Sequence, residues 1–195
     1  MAPPPAVHRL PSPPPTALTS VWWELPGLPR LTVSAPSASG VAAVDREWPR
    51  HRPLHYANLH WSWAAILRAR PERFTVVDDT GAVFGLWCSA KYRPLRLLEG
   101  DFYRLDFIER DPRPAAVGLG AFIFALVSVR ALELGCSGLV LASLPEAADF
   151  YERAGGERRA TRGWRVSRSL VPFVFSAATL RELKERADGF QVEGS

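Results

Sequence analysis

The run Val117-Gly118-Leu119-Gly120 constrains this chain more than any other feature. Before it, Asp101 to Arg110 alternates as a strand does, stopped by Pro112 and Pro114; after it, an apolar helical run extends through Leu134 and is ended by Gly135. A glycine turn that enters a helix from a strand leaves several backbone N–H groups without acceptors, at the positive end of the helix dipole. That is a natural cradle for phosphate or pyrophosphate. Gly138 to Ala142, containing Leu139-Val140-Leu141, is then a short, fully apolar strand suited to a buried parallel position. Pro145 suits the first turn of a following helix, which carries Phe150-Tyr151-Glu152-Arg153-Ala154 and ends at Gly155-Gly156. Strand, glycine turn, helix, strand and helix in this order suggest a cofactor site, with Tyr151 as a candidate acid near the mouth of the cradle.

The rest of the chain is organised around this unit. Twelve of the 18 prolines precede Leu54, and Pro3-Pro4-Pro5 and Pro13-Pro14-Pro15 favour extended polyproline II. Residues 1–20 are therefore read as a flexible proline-rich tail and 21–195 as a single domain. Trp22, Trp23, Leu25 and Leu28 call for burial, and Leu31-Thr32-Val33 suits a first strand. The spacing of Leu54, Ala57, Trp61, Ala64, Ala65 and Leu67 predicts a helix ending before Pro71. Phe74 to Val77 and Ala82 to Ser89 read as a hairpin across the turn Asp78-Asp79-Thr80-Gly81. Arg162 to Leu170 and Pro172 to Phe175 read as final strands, and Thr179 to Ala187 as a terminal helix.

Composition narrows the functional classes. With 47% hydrophobic and 23% charged residues, the chain has the make-up of a soluble globular domain. Cys88 and Cys136 both lie in apolar stretches, as core residues of a reducing compartment do, and form neither a disulfide framework nor a metal site. The N-terminus lacks the apolar core of a secretory signal, and the longest uncharged stretch is short for a bilayer span. A cytoplasmic location is the expectation. The net charge of +4 is compatible with an anionic cofactor and too small to argue for nucleic acid. Ser62 and Ser143 lack any surrounding triad pattern. His51, His55 and His60 cluster with Tyr56, Trp61 and Trp63, either on a packing helix or lining a substrate pocket, with no carboxylate or cysteine spacing for a metal.

On Asp101–Arg110, the glycine turn, Ala121–Leu134, Leu139–Ala142 and Phe150-Tyr151-Glu152-Arg153-Ala154-Gly155, the chain resembles the GNAT superfamily of acyl-CoA-dependent N-acetyltransferases. The resemblance is closest over about residues 100 to 157. It implies an α/β fold with a mixed, mostly antiparallel central sheet flanked by helices. It also implies acetyl transfer from acetyl-CoA to a primary amine, on a small molecule or peptide, directly and without a metal.

The resemblance assigns the pyrophosphate cradle to Ala115, Ala116, Val117, Gly118, Leu119, Gly120 and Ala121. Ala115 stands where the family usually has arginine or glutamine, and Arg113 is near enough to compensate. The strand before the cradle typically splays from its neighbour, so Phe107, Ile108 and Glu109 would pair with the pantetheine arm, and Tyr151 would protonate the leaving sulfur. Leu144 replaces the usual asparagine, and Gly155-Gly156 the usual glycine-phenylalanine.

An alkylammonium titrates near 10, so a base must take its proton before attack. Asp101, Asp106 and Glu109 are the candidates on the strand, with surface pairing to Arg104 or Arg110 as the alternative. Simple alternation puts Glu109 at the end of the apolar face of Tyr103, Leu105 and Phe107, and Glu109 is preferred. Two other readings stay open. The departures at Ala115 and Leu144 suit a GNAT-like module that binds or regulates without catalysing. The arginine run Arg153, Arg158, Arg159, Arg162, Arg165 and Arg168 suits a solvated strand, or contact with the coenzyme's phosphates, an acidic substrate or aminoacyl-tRNA. A homodimer is compatible with all of them.

Overall fold

In the computed structural model, residues 16–52, 61–92, 100–113, 117–159 and 166–192 are described. The elements in chain order are β1 (Trp22–Trp23), β2 (Leu31–Ser34), α1 (Ala38–Glu47), α2 (Trp63–Arg68), β3 (Glu72–Val77), β4 (Val83–Tyr92) and β5 (Phe102–Arg110). Then follow α3 (Leu119–Glu133), β6 (Gly138–Ser143), α4 (Ala148–Arg153), β7 (Glu157–Arg158), β8 (Val171–Ser176), α5 (Ala177–Asp188) and β9 (Gln191–Val192). The strands form one sheet in the order β7-β8-β6-β5-β4-β3-β2-β1-β9. Among the described strands only β5 and β6 pair in parallel, so the sheet is mixed and mostly antiparallel.

Helices cover both faces. On one face α3 and α5 bury Phe122, Phe124, Leu126 and Leu180 against Phe74, Trp87, Tyr103, Leu105, Leu139 and Phe175. The buried stripe of α3 is wide because its sequence is apolar nearly all round. Gly85 permits the close approach of this helix, since a Cβ there would lie 2.3 Å from Ile123 Cδ1. Within the same layer Glu72 accepts from Tyr103 Oη at 2.7 Å and from Arg130 Nη2 at 2.8 Å, so the buried charges are paired. On the other face α1 and α2 pack Val41, Val44, Trp63 and Leu67 over Leu86 and Cys88.

Helix α1 was not expected from the sequence. Ser37 caps it by accepting from Gly40 N at 3.0 Å, and only two of its residues, Val41 and Val44, are buried, too few to register as periodicity. Within the described residues, the helix expected from Leu54 runs only over Trp63–Arg68, and residues 53–60 lie outside the description. Ser62 and Asp45 cap this helix, Asp45 Oδ1 accepting from Trp63 N at 2.7 Å. The strand expected from Arg162 to Leu170 is absent from its described part, 166–170, which is turn and irregular chain. Of the expected tail, Ala17–Ser20 form a 3-10 turn, and Thr16 Oγ1 donates to Glu133 Oε2 at 2.5 Å.

Two local irregularities shape the middle of the sheet. The parallel ladder between β5 and β6 covers only Phe102–Leu105 against Gly138–Leu141. Past Leu105 the strands diverge, β5 staying with β4 and β6 with β8. In addition, Cys88 pairs with Phe107 while its neighbour Ser89 pairs with Leu105, which leaves Asp106 as the extra residue of a β-bulge.

Candidate active site

The divergence of β5 from β6 opens a cavity of about 800 Å³ whose lining comes from both faces of the sheet. Leu105, Ile108, Arg110 and Tyr151 line it from the α3 side, and Arg52, Trp61, Arg70, Arg104, Phe107 and Glu109 from the α2 side. The cavity therefore passes through the sheet. Its walls include the edge of β5 beyond Leu105, where the ladder to β6 has stopped, so main-chain groups there are available to a ligand.

The start of α3 stands at the mouth of a second cavity, with its Gly120 beside Arg110 of the first. Gly118 has φ +93°, in the left-handed region, and a Cβ there would meet nothing within 4 Å. Among the described residues no side chain caps the helix, and its first turn has no acidic residue. The first-turn N–H groups thus lack a side-chain acceptor, and the chemistry of this mouth fits an anion. Val117 and Ala121 are exposed, Leu119 is buried, and Gly120 leaves room for Arg110, whose Cδ would lie 3.6 Å from a Cβ there. Ala115 and Ala116 lie outside the described residues. Arg113 is tied to its own loop: Asp111 accepts from the Arg113 backbone N at 2.9 Å and from Nε at 2.8 Å, with Nη2 on the same carboxylate. To serve the cradle, Arg113 would have to leave this pair.

The second cavity has a volume of about 540 Å³. Gly118, Ala121, Phe150, Arg153, Arg186 and Phe190 are among its lining residues.

Tyr151 sits on the wall of the main cavity, buried among Phe124, Phe150 and Phe173 with ring centroids 5.3, 5.0 and 5.6 Å away. Its ring is fixed by edge and tilted aromatic contacts, the packing role that the sequence also offered.

The bulge changes the role of the carboxylates. Past Asp106 the alternation of β5 is reversed, so Ile108 and Arg110 continue the face of Tyr103 and Leu105. Phe107 and Glu109 point instead to the α2 face, opposite to the expectation from simple alternation.

There Glu109 is engaged by four donors. Arg52 holds it through Nε to Oε1 at 2.7 Å and Nη2 to Oε2 at 3.0 Å, and Oε2 also accepts from Trp61 Nε1 at 3.2 Å and Trp63 Nε1 at 2.6 Å. Arg52 is stacked over Trp61 at 4.2 Å, and the Arg52 and Glu109 side chains are only 5% and 13% exposed. Three of the four donors meet Oε2, while Oε1 accepts from Arg52 Nε alone.

Asp106 lines the same cavity with fewer partners: Arg104 Nε lies 2.6 Å from Oδ1, and Arg70 Nη1 3.5 Å from Oδ2. Beneath it the Cys88 thiol is pushed up to about 12, chiefly by burial and then by the Asp106 charge, and stays protonated and unreactive.

The other candidates divide. His51 is exposed at the end of a 3-10 turn, while His55, Tyr56 and His60 lie outside the described residues. Ser143 lines the cavity, but its Oγ donates to Leu144 O at 2.9 Å. Arg158 pairs with Glu152 at 2.5 Å on the surface, and Arg162 and Arg165 lie outside the description. Among the described residues no three His, Cys, Asp or Glu side chains gather where they could hold a metal ion. No described helix is long and apolar enough to cross a membrane. Arg104 was expected from the sequence as a partner of the strand carboxylates, whereas Arg52 and Arg70 were not singled out. Arg52 stands 57 positions from its partner, and no local pattern links the two.

No protein-family model matches the chain, and no curated protein matches it. Solved structures do. An acetyltransferase of the GNAT family from Listeria monocytogenes superposes with a TM-score of 0.55 at 12% identity, over 76% of this chain and 95% of its own. The fold is that of the GNAT superfamily. FeeM, an N-acyl amino acid synthase from uncultured soil microbes, shares this GNAT architecture with a TM-score of 0.54 at 14% identity, over 83% of this chain and 99% of its own. The NatC complex bound to Gag peptide and CoA matches with a TM-score of 0.52 at 11% identity, over 74% of this chain and 95% of that one. The GNAT fold accounts for the mixed sheet with its single parallel pair. What the cavity does is a matter for its own residues.

Proposed function

We propose that the protein is an acyl-CoA-dependent N-acyltransferase that moves an acetyl group to a primary amine. One observation carries this reading: the divergence of β5 from β6 opens a cavity with Tyr151 on its wall, and the uncapped start of α3 lies beside Arg110 of that wall. The first-turn N–H groups from Gly118 to Ala121 would hold the pyrophosphate, and Arg153 and Arg186 border the adjoining groove where the nucleotide end would lie. When bound, acyl-CoA supplies the activated acyl group.

The residues of the chain then divide the work. The free edge of β5 at Phe107, Ile108 and Glu109 pairs with the pantetheine amides, and its main-chain N–H groups polarise the thioester carbonyl. Asp106 takes a proton from the acceptor ammonium, through a water, and frees the lone pair for attack on the carbonyl carbon. As the C–S bond breaks, the Tyr151 hydroxyl protonates the sulfur. The nitrogen loses two protons in all, one by way of Asp106 to solvent and one that restores the tyrosine. The products are an amide, a thiol and one proton. Glu109 acts as a positioning residue that locks Arg52, Trp61 and Trp63 onto the strand.

The tie between Arg113 and Asp111, with alanine at 115, favours one second reading, a GNAT-fold module that binds a partner without catalysing. Calorimetry with acetyl-CoA, beside a Gly118→Asp variant, separates the two. The expected result is micromolar binding that the variant loses, because a carboxylate at this mouth repels phosphate and strains the left-handed backbone. Thiol release on adding amines then completes the case. No binding by the native protein moves the assignment to the non-catalytic module.

A further inference from the structure

The α2 side of the cavity carries one more positive charge than its own carboxylates take up. Three arginines, Arg52, Arg70 and Arg104, share this wall with two carboxylates, Asp106 and Glu109. The Arg52–Glu109 pair is bidentate and closed. Arg104 engages both oxygens of Asp106, Nε at 2.6 Å from Oδ1 and Nη2 at 3.2 Å from Oδ2. Arg70 reaches Oδ2 only at 3.5 Å, and among the described residues its buried Nε has no hydrogen-bond partner. Its side chain is 31% exposed, with the guanidinium 5.8 Å from the ring centre of Phe107.

Arg70 thus offers a planar, permanently charged fork directly beside a carboxylate. That pairing is complementary to a molecule that itself carries a carboxylate and an ammonium close together. We propose that the acyl acceptor is a free α-amino acid, its carboxylate held by Arg70 and its ammonium placed beside Asp106. Its side chain lies against Trp61 and Phe107, the latter 38% exposed on the cavity wall. The cavity is of a size that admits a small acceptor together with the acyl arm. This assignment rests on the N-acyltransferase reading and narrows its acceptor.

The test compares matched amines with the full-length protein and acetyl-CoA, following thiol release: L-phenylalanine against phenethylamine, and L-leucine against isoamylamine. The amino acid of each pair is expected to have a kcat/KM about 10- to 100-fold higher, as suits one charge-assisted contact. Arg70→Gln is expected to raise the KM for the amino acid by a similar factor and to level the preference within each pair. Arg70→Lys should restore part of it. Acetyl-CoA affinity, measured by calorimetry in each variant, should match the native value and so reports that the fold and the donor site are intact. Equal kcat/KM within the pairs, or a preference that survives Arg70→Gln, overturns the amino-acid assignment and leaves the acyltransferase reading standing. Acetyl-CoA binding with no thiol release from any of the four amines also overturns it. Failure to bind acetyl-CoA at all overturns both.

Discussion

Glu109 shows how much a single side chain can depend on its neighbours. Isolated on a strand it is a candidate base; with an arginine fork and two indole N–H groups on its oxygens it is a fastening. Replacing Glu109 with Gln keeps the shape and removes the charge, leaving Arg52 nearly buried without its counter-ion. Breaking a buried pair from one side costs about 3 kcal/mol. Urea denaturation followed by tryptophan fluorescence should record a loss of that order, with a change in native emission because Trp61 and Trp63 both donate to this carboxylate. A midpoint equal to that of the native protein would show that the cluster adds nothing to the fold. On the proposed reading Asp106 takes the proton in place of Glu109, since it faces the same cavity with fewer partners.

At the scale of the element, β5 is governed by its bulge. Asp106 is the residue by which β5 exceeds β4, and it turns Phe107 and Glu109 to the α2 face while Ile108 stays with the α3 layer. Deleting Asp106 would restore plain alternation and send every later side chain of the strand to the wrong face. Asp106→Ala keeps the backbone count and only breaks the contacts with Arg104 and Arg70. The deletion variant is therefore expected to lose cooperative unfolding, or more than about 4 kcal/mol of stability, as a misplaced buried charge and a core aromatic would cost together. Asp106→Ala should fold with native near-ultraviolet circular dichroism and lose activity. A deletion variant as stable as the native chain would mean that the bulge does not set the facing of β5. Helix α3 is set with similar economy, by Gly118 at its start and Gly85 beneath its middle.

Over the whole molecule, the sheet closes the two ends of the chain onto each other. β9 pairs with β1, Glu24 N donates to Phe190 O at 2.9 Å, and Phe190 meets Phe122 of α3 edge-on at 6.2 Å. Removing residues 190–195 would take away this edge strand and half-expose Trp23, whose ring packs on Phe122 at 5.8 Å. A stability loss of about 1–3 kcal/mol is expected from the lost apolar area and ladder bonds, measured by urea denaturation. Phe190 also lines the cavity beside Gly118, so on the proposed reading the truncation should weaken acetyl-CoA binding as well, as calorimetry would record. Unchanged affinity would mean that this cavity does not hold the coenzyme.

The sequence was sufficient wherever structure follows from local periodicity and turn chemistry. The glycine turn into α3, the apolar β6 and the hairpin of β3 and β4 were legible, because each depends on residues within one or two turns of each other, while the mixed sheet was implied by the family resemblance. Helix α1 was not, since two buried valines leave no periodic signal. Nor was the direction of Glu109, because a bulge is a property of two strands paired in register and appears in neither alone. The Arg52–Glu109 clamp and the meeting of Arg70 with Asp106 join positions far apart in the chain, through packing of α2 on the sheet. Local sequence set the elements and the glycine turn. Long-range pairing decided which side chains share the cavity, and so which partners each carboxylate meets.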